Sequence, residues 1–214
     1  KVNKAINLVK SNKERENTNF FDAHLLLILA DLKKGYFQKA YDQLNNLSKV
    51  TNKDKFNSAI LESLKQYVYV FKEKKILDNK KNFGKLSVIS ETFQKCYLGK
   101  EDTDIYFSKL INDSKGDYTR YIFFYLSYLI ENDRLDDAKK ITKDLDYIET
   151  TLLLSQGKNW IQDKNSEKIT SVFSCKKSND IISEFLFLIS NLYSSQDKFN
   201  KSNFYLNLSN FLNP

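Results

Sequence analysis

Apolar residues recur at intervals of three and four positions along most of the chain, and this spacing restricts the folds open to it. The clearest stretch covers residues 57–71, where the apolar positions include Ile60, Leu61, Leu64, Tyr67, Val68 and Phe71. In an α-helix these positions lie on one face. The alternation of apolar and polar residues that marks half-buried strands is not sustained anywhere. The pattern therefore predicts a series of short amphipathic helices.

The scarcity of glycine and proline also favours helices over strands. The 214 residues include 5 Gly and 1 Pro, whereas β-hairpins need Gly, Pro and Asn-Gly pairs at regular intervals. Hydrophobic residues make up 41% of the chain, with 16 Phe and 13 Tyr among them, which is too much apolar surface for a disordered segment. We predict a single all-α domain over residues 1–214, built of about a dozen short antiparallel helices.

Residues 183–214 carry the most informative pattern. Its positions of defined size or turn type are Leu186, Ile189, Ser190, Tyr193, Asp197, Phe199, Ser202 and Pro214. The segment resembles one complete tetratricopeptide repeat, a helix-turn-helix unit of about 34 residues. In such a unit the small residues Ser190 and Ser202 let the two helices approach closely. Phe199, Leu206 and Tyr193 are then expected to fill the space between consecutive repeats.

Two other segments fit the same frame. Residues 22–48 are predicted to turn at Gly35 and residues 119–146 at Asp133. Gly35 precedes Asp133 by 98 residues, and Asp133 precedes Asp197 by 64 residues. These separations are close to three and two repeat lengths.

Fainter units are predicted to turn near Glu73, at Gly99 and near Asp163, after helices over residues 57–71, 86–98 and 151–161. The resemblance implies an α-α superhelix, a solenoid of antiparallel helix pairs with about six repeats. Residues 1–18 are expected to complete an earlier repeat. The chain is therefore expected to be a fragment of a longer bacterial tetratricopeptide protein.

The resemblance also implies a binding surface, because tetratricopeptide proteins bind peptides or helices along the concave face lined by their first helices. The matching positions here are Arg120, Phe123, Ser127, Glu131, Phe187, Asn191 and Ser194. Family members that clamp a terminal carboxylate use Lys and Asn in this groove. Here Phe123 and Phe187 stand where the Lys would be, and only Asn191 fits. We expect a groove suited to an apolar peptide segment or an amphipathic helix, in a scaffold or adaptor protein.

The sequence offers little for catalysis or for holding a metal or cofactor. Its one histidine is His24, and it contains no GxSxG, phosphate-loop or GxGxxG motif. No Cys/His cluster has metal-ligand spacing. The acidic groups at residues 101–104 and 133–137 are predicted to cap helix starts. We therefore expect no enzyme activity, no cofactor and no metal.

A formal net charge of +7 leaves nucleic-acid binding open as an alternative. Of the 34 basic residues, all but three, namely Arg15, Arg120 and Arg134, are lysines. Because paired hydrogen bonds to bases and phosphates favour Arg, we favour a protein or peptide partner over nucleic acid. The alternative is a helical-repeat nucleic-acid-binding protein with a lysine-rich surface. Residues 72–85 would belong to that surface, and we predict a short, solvated second helix for them.

Cys96 and Cys175 are the only cysteines, and they lie far apart in sequence. Without a CxxC or Cys/His motif nearby, they are predicted to be two buried structural thiols in preference to a disulfide. No apolar run reaches the roughly 20 residues of a membrane span, and the first residues lack the apolar core of a signal peptide. The cytoplasm and, if a signal peptide has been removed, the periplasm both stay open, as does the oligomeric state.

Overall fold

The structure is a computed structural model that describes residues 1–11, 21–50, 55–78, 81–112, 119–145 and 151–214. Over these ranges it contains twelve α-helices and no β-strand, which confirms the all-α class. The helices are α1 (Val2–Ser11), α2 (Phe21–Lys33), α3 (Phe37–Val50), α4 (Lys55–Glu73), α5 (Lys85–Leu98), α6 (Thr103–Ile111), α7 (Thr119–Glu131), α8 (Leu135–Asp144), α9 (Leu152–Gln162), α10 (Glu167–Val172), α11 (Ser178–Ser194) and α12 (Phe199–Leu212).

Helices α4, α5 and α9 match the three helices predicted before the fainter turns. The helix predicted over residues 1–18 is present as α1, which ends at Ser11. The remainder of that prediction, residues 12–18, lies outside the described residues.

The helices group into two compact units, where one domain over residues 1–214 was predicted. Unit 1 consists of Lys1–Ser90 and Ser178–Pro214, and unit 2 consists of Glu91–Lys177. Helix α5 begins in unit 1 and ends in unit 2.

Helix α2 occupies the centre of unit 1. Residues 28–32 are all buried, so this part of the helix is covered on every side, as expected where apolar residues surround a helix. It packs against α1, α3 and α12, while α11 packs against α12 and α4. In a single-file solenoid each hairpin contacts only its neighbours in sequence. The contacts of α12 with α2 and α1 depart from that prediction, because these helices are far apart in sequence.

Five helices end in the same type of turn. One to three positions after the last residue of each helix, one residue has a positive φ: Gly35 (77°), Gly99 (60°), Asp133 (59°), Lys164 (59°) and Asp197 (58°). In each turn the next N–H bonds to the carbonyl five residues earlier, which is the Schellman pattern. These bonds are Tyr36 to Asp31 (3.0 Å), Lys100 to Lys95 (3.1 Å), Arg134 to Leu129 (2.9 Å), Asn165 to Trp160 (2.8 Å) and Lys198 to Tyr193 (3.0 Å).

The shared turn confirms the turn positions predicted at Gly35, Gly99, Asp133 and Asp197. The turn predicted near Asp163 is centred one residue later, on Lys164. Near Glu73 the positive φ falls on Lys74, whose N–H bonds to Val70 O at 2.9 Å, so that helix ends in a different way.

The core of unit 2 is aromatic and surrounds α7. Phe124 of α7 lies between Phe93 of α5 (ring centroids 5.6 Å apart) and Phe173, which follows α10 (4.2 Å). Helix α7 also packs against α6, α8, α9 and α10. This helix is therefore the centre on which the rest of unit 2 is assembled.

Cys96 and Cys175 are joined in a disulfide within unit 2, with their Cα atoms 5.6 Å apart. The prediction of two free thiols is therefore wrong, although both residues are buried as predicted. The two cysteines are 79 residues apart in sequence. They meet only because α5 and the segment after α10 pack around the same aromatic core, and no local pattern encodes that contact.

The lysine-rich connection between α4 and α5 is not the short helix that was predicted. The described residues on either side of positions 79 and 80 have no regular structure. Gln66 Nε2 donates to Lys81 O at 3.3 Å, and Asn82 Oδ1 accepts from Gly84 N at 2.8 Å. Gly84 has a φ of 64°, which stops a helix from continuing through this point.

Candidate functional site

The predicted contact residues of α7 lie against the chain itself. Phe123 and Ser127 have no exposed surface. The Ser127 hydroxyl donates to Phe173 O, and Glu131 Oε1 accepts from the Ser174 hydroxyl. The groove expected along α7 is therefore filled by the later part of unit 2, and in this structure Phe123 and Ser127 cannot touch a partner.

Gly157 shows how closely α9 approaches this face. A Cβ atom placed on Gly157 would lie 2.9 Å from Phe123 Cδ2, which is inside van der Waals contact. Arg120, at the start of α7, is half-buried and holds its guanidinium 5.3 Å from the centre of the Phe124 ring. The aromatic character of α7 thus serves the core of unit 2.

The predicted contact residues of α11 remain at the surface of unit 1. Asn191 and Ser194 are exposed, and Phe187 is half-buried. The seven predicted residues do not form one site within a single unit, because those of α7 belong to unit 2 and those of α11 to unit 1. A role of Phe187, Asn191 and Ser194 in binding stays a prediction.

Two pairs of serines set the register between α11 and α12. Ser190 donates to Ser202 O at 2.9 Å, and Ser183 donates to Ser209 O at 3.0 Å. Such bonds need a close approach of the two backbones, which confirms the predicted role of Ser190 and Ser202. Because the partner number falls as the α11 number rises, the two helices run antiparallel.

Helix α12 exposes apolar residues that were expected to be covered. Phe199 is 59% exposed and Leu206 is 44% exposed, so the prediction that they fill the space between repeats is wrong. Tyr193 and Tyr205 are buried and stack on one another with ring centroids 5.4 Å apart. On α12, Tyr205 lies on one side of the serines that contact α11, and Phe199 and Leu206 lie on the other side. Because the tyrosine side faces the core, Phe199 and Leu206 face the surface.

We call Phe187, Asn191 and Ser194 of α11, together with Phe199 and Leu206 of α12, the hairpin surface. Phe199 and Leu206 are seven positions apart, or about two helical turns, so they lie on the same face of α12. At a rise of about 1.5 Å per residue they are separated by roughly 10 Å along the helix axis. The hairpin surface thus combines two exposed apolar side chains and the half-buried Phe187 with amide and hydroxyl groups.

A polar cluster links α6, α7 and α8. Arg134 Nη1 lies 2.9 and 2.7 Å from the two carboxylate oxygens of Asp104, and its Nε lies 3.0 Å from Asp137 Oδ2. The Tyr125 hydroxyl donates to Asp104 at 2.7 Å. Burial and this bond raise the pKa of Tyr125, while the bond from Arg134 lowers the pKa of Asp137. These bonds join side chains of α6, α7 and α8 or their ends, all within unit 2. The cluster therefore holds the three helices together.

The acidic groups predicted to cap helices are used in different ways, and some of them do lie in the first turn of a helix. Asp102 is the N-cap of α6 but makes no cap bond with its side chain, and it pairs with Lys95 instead. Asp133 is the positive-φ residue of a turn. Asp136 and Asp137 do lie in the first turn of α8, where a carboxylate opposes the helix dipole.

The described residues contain no group of three or more His, Cys, Asp or Glu side chains placed to hold a metal ion. Among the same residues, no helix combines the length and the apolar character needed to cross a membrane.

Comparison with known proteins gives no relative. No protein-family model matches the sequence, no curated protein matches it, and no solved structure matches the fold.

Proposed function

We propose that this chain is a non-catalytic helical protein, with tetratricopeptide-like hairpins, that binds a protein or peptide partner through the hairpin surface. The observation that supports this proposal is the exposure of Phe199 and Leu206 on one face of α12. Exposed apolar residues that stand together at the surface are typical of interaction sites, whereas single ones are common and need no explanation.

The spacing of these residues suggests the form of the partner. Two apolar contacts separated by about two helical turns suit an amphipathic helix, which presents its own apolar residues at similar intervals. Asn191 and Ser194 supply side-chain hydrogen-bond donors and acceptors at the edge of these contacts. The repeated Schellman turn supports the tetratricopeptide-like description, because it recurs where that frame predicted turns.

The lysine-rich connection between α4 and α5 supports nucleic-acid binding less than the hairpin surface supports a protein or peptide partner. Lys72 Nζ lies 2.7 Å from Glu73 Oε1 and 5.2 Å from the centre of the Tyr41 ring. Lys75 Nζ lies 6.0 Å from the centre of the Tyr69 ring. These contacts orient both ammonium groups towards the chain's own side chains, so no function is proposed for this segment.

The test is affinity capture with the double variant Phe199→Ala/Leu206→Ala. The matched control is Ile105→Ala/Leu152→Ala, which removes two exposed apolar side chains from α6 and α9. We expect the first variant to lose the partner that the wild-type protein captures and the control to keep it, with unchanged circular dichroism for both. Each captured protein is then purified and its affinity measured directly. Equal affinity of the wild-type protein and the Phe199/Leu206 variant for every captured partner would exclude the hairpin surface.

A further inference from the structure

A groove between α8 and α9 of unit 2 carries a concentration of positive charge. Its volume is about 520 Å³, and four lysines line it: Lys139 and Lys143 from α8, Lys158 from α9 and Lys164 from the turn after α9. Among the described residues, no aspartate or glutamate lines this groove. We call it the lysine groove.

The lysines lie on both walls of the groove. Lys139 and Lys143 are four positions apart and so share one face of α8, while Lys158 and Lys164 belong to the opposite wall. Lys139 pairs with Asp136 at 3.1 Å, but that carboxylate is 88% exposed and does not line the groove. A ligand in the groove therefore meets positive charge from both walls.

The groove also has an apolar part. Leu135 and Ile161 contribute to its lining, and Ile161 is buried. A volume of this size lies within the range of roughly 300–1,000 Å³ that is usual for ligand sites. The combination of aliphatic lining and ammonium groups selects a ligand that has an apolar group between anionic ones.

The lining residues favour carboxylates over nucleic acid. No aromatic side chain belongs to the described lining, whereas sites for single-stranded nucleic acids usually offer aromatic rings on which the bases stack. The basic groups are lysines, and a lysine ammonium is a mobile point charge that does not require the paired geometry of arginine. Carboxylates on a flexible peptide need neither an aromatic ring to stack on nor a fixed pair of donors. An aliphatic side chain among them fits the apolar lining.

We propose that the lysine groove binds an acidic peptide segment in which carboxylate side chains flank one aliphatic side chain. This proposal rests on the proposed function as a peptide-binding protein, and it adds that one segment of the partner is acidic. It concerns a surface of unit 2, separate in sequence from the hairpin surface of unit 1.

The test uses the full chain and a fluorescein-labelled peptide, Asp-Glu-Leu-Glu-Asp, with fluorescence anisotropy as the readout. The groove variant is Lys143→Gln/Lys164→Gln, which removes one ammonium group from each wall. The control variant is Lys100→Gln/Lys177→Gln, which removes the same net charge from exposed positions of unit 2 outside the groove. We expect the groove variant to bind about tenfold more weakly, since two charge pairs are lost, and the control to bind as the wild-type protein does.

Two more ligands test the chemistry. Asp-Glu-Gly-Glu-Asp has the same charge but no aliphatic side chain, and we expect it to bind several-fold more weakly because it leaves the apolar lining uncovered. Single-stranded oligonucleotide of equal charge is expected to bind more weakly still. Tighter binding of the oligonucleotide with the same lysine dependence would overturn the peptide assignment, as would equal weakening by the groove and control variants or no binding of the first peptide.

The variant Phe199→Ala/Leu206→Ala separates this proposal from the proposed function. It is expected to bind the acidic peptide normally while it loses the captured partner. If partner capture depends on Phe199 and Leu206 but the peptide does not bind, only the lysine groove proposal fails. If the peptide binds but the hairpin variant keeps every partner, only the hairpin surface is excluded.

Discussion

At the scale of single residues, Gly157 shows a conflict between helix propensity and packing. It lies within α9, where alanine normally stabilises a helix by roughly 0.5–1 kcal/mol relative to glycine. Here the added methyl group would meet Phe123 Cδ2 at 2.9 Å and Cε2 at 3.0 Å, and the Phe123 ring is fully buried. A buried ring cannot move aside cheaply in a close-packed core.

We therefore expect Gly157→Ala to lower the free energy of unfolding by about 1–3 kcal/mol, the usual cost of overpacking a core. Denaturant titration measures the change. The control is a double-mutant cycle with Phe123→Leu, in which the smaller side chain leaves room for the methyl group and the cost of Gly157→Ala should shrink. A Gly157→Ala protein more stable than wild type would show that α9 does not press on Phe123.

At the scale of secondary-structure elements, the Schellman turns allow a comparison within one chain. The same left-handed position is held by glycine at residues 35 and 99, by aspartate at 133 and 197, and by lysine at 164. Glycine adopts this conformation without steric cost, aspartate tolerates it, and lysine is the least suited of the three.

We expect Lys164→Gly to raise the free energy of unfolding by about 0.5–1 kcal/mol and Asp197→Gly to raise it by less. Gly35→Ala should lower it by about 1 kcal/mol. Thermal unfolding of the three variants provides the measurement, and Lys164→Ala is the control, since it removes the lysine side chain without relieving the backbone. If Lys164→Ala stabilises as much as Lys164→Gly, the effect comes from charge and not from the turn.

The ends of most helices could be predicted from the sequence, whereas the surface that covers each helix could not. Helices and their ends depend on residues close in sequence, so apolar spacing and the positions of Gly35, Gly99, Asp133 and Asp197 predicted most of them. The exception is the short helix predicted over residues 72–85, which is not formed at the described residues 74–78 and 81–84. The surface that covers a helix depends on residues far away in the chain. Phe123 is the clear example, because an aromatic residue on an apolar helix face looks the same whether the chain itself or a partner covers it.

At the scale of the whole molecule, the disulfide between Cys96 and Cys175 is the long-range connection with the clearest consequence. It links residues 79 positions apart, both within unit 2. Closing a loop of this length restricts the unfolded chain, and the loop-entropy description gives a stabilisation of about 4.5 kcal/mol. In the same unit the Phe93 and Phe173 rings are in contact, with centroids 5.5 Å apart, so part of the aromatic core lies close to the bond in sequence.

We therefore expect reduction to destabilise unit 2 selectively. Hydrogen exchange followed by mass spectrometry should show faster exchange in α6, α7 and α9 after reduction, while α2 and α11 of unit 1 keep their protection, because local opening reports the stability of each cooperative part. The variant Cys96→Ser/Cys175→Ser should reproduce the reduced pattern in the absence of reductant, which separates loss of the bond from other effects of the reagent. Uniform loss of protection in both units would mean that the two units unfold as one, and unchanged exchange in unit 2 would mean that its aromatic core is sufficient without the covalent link.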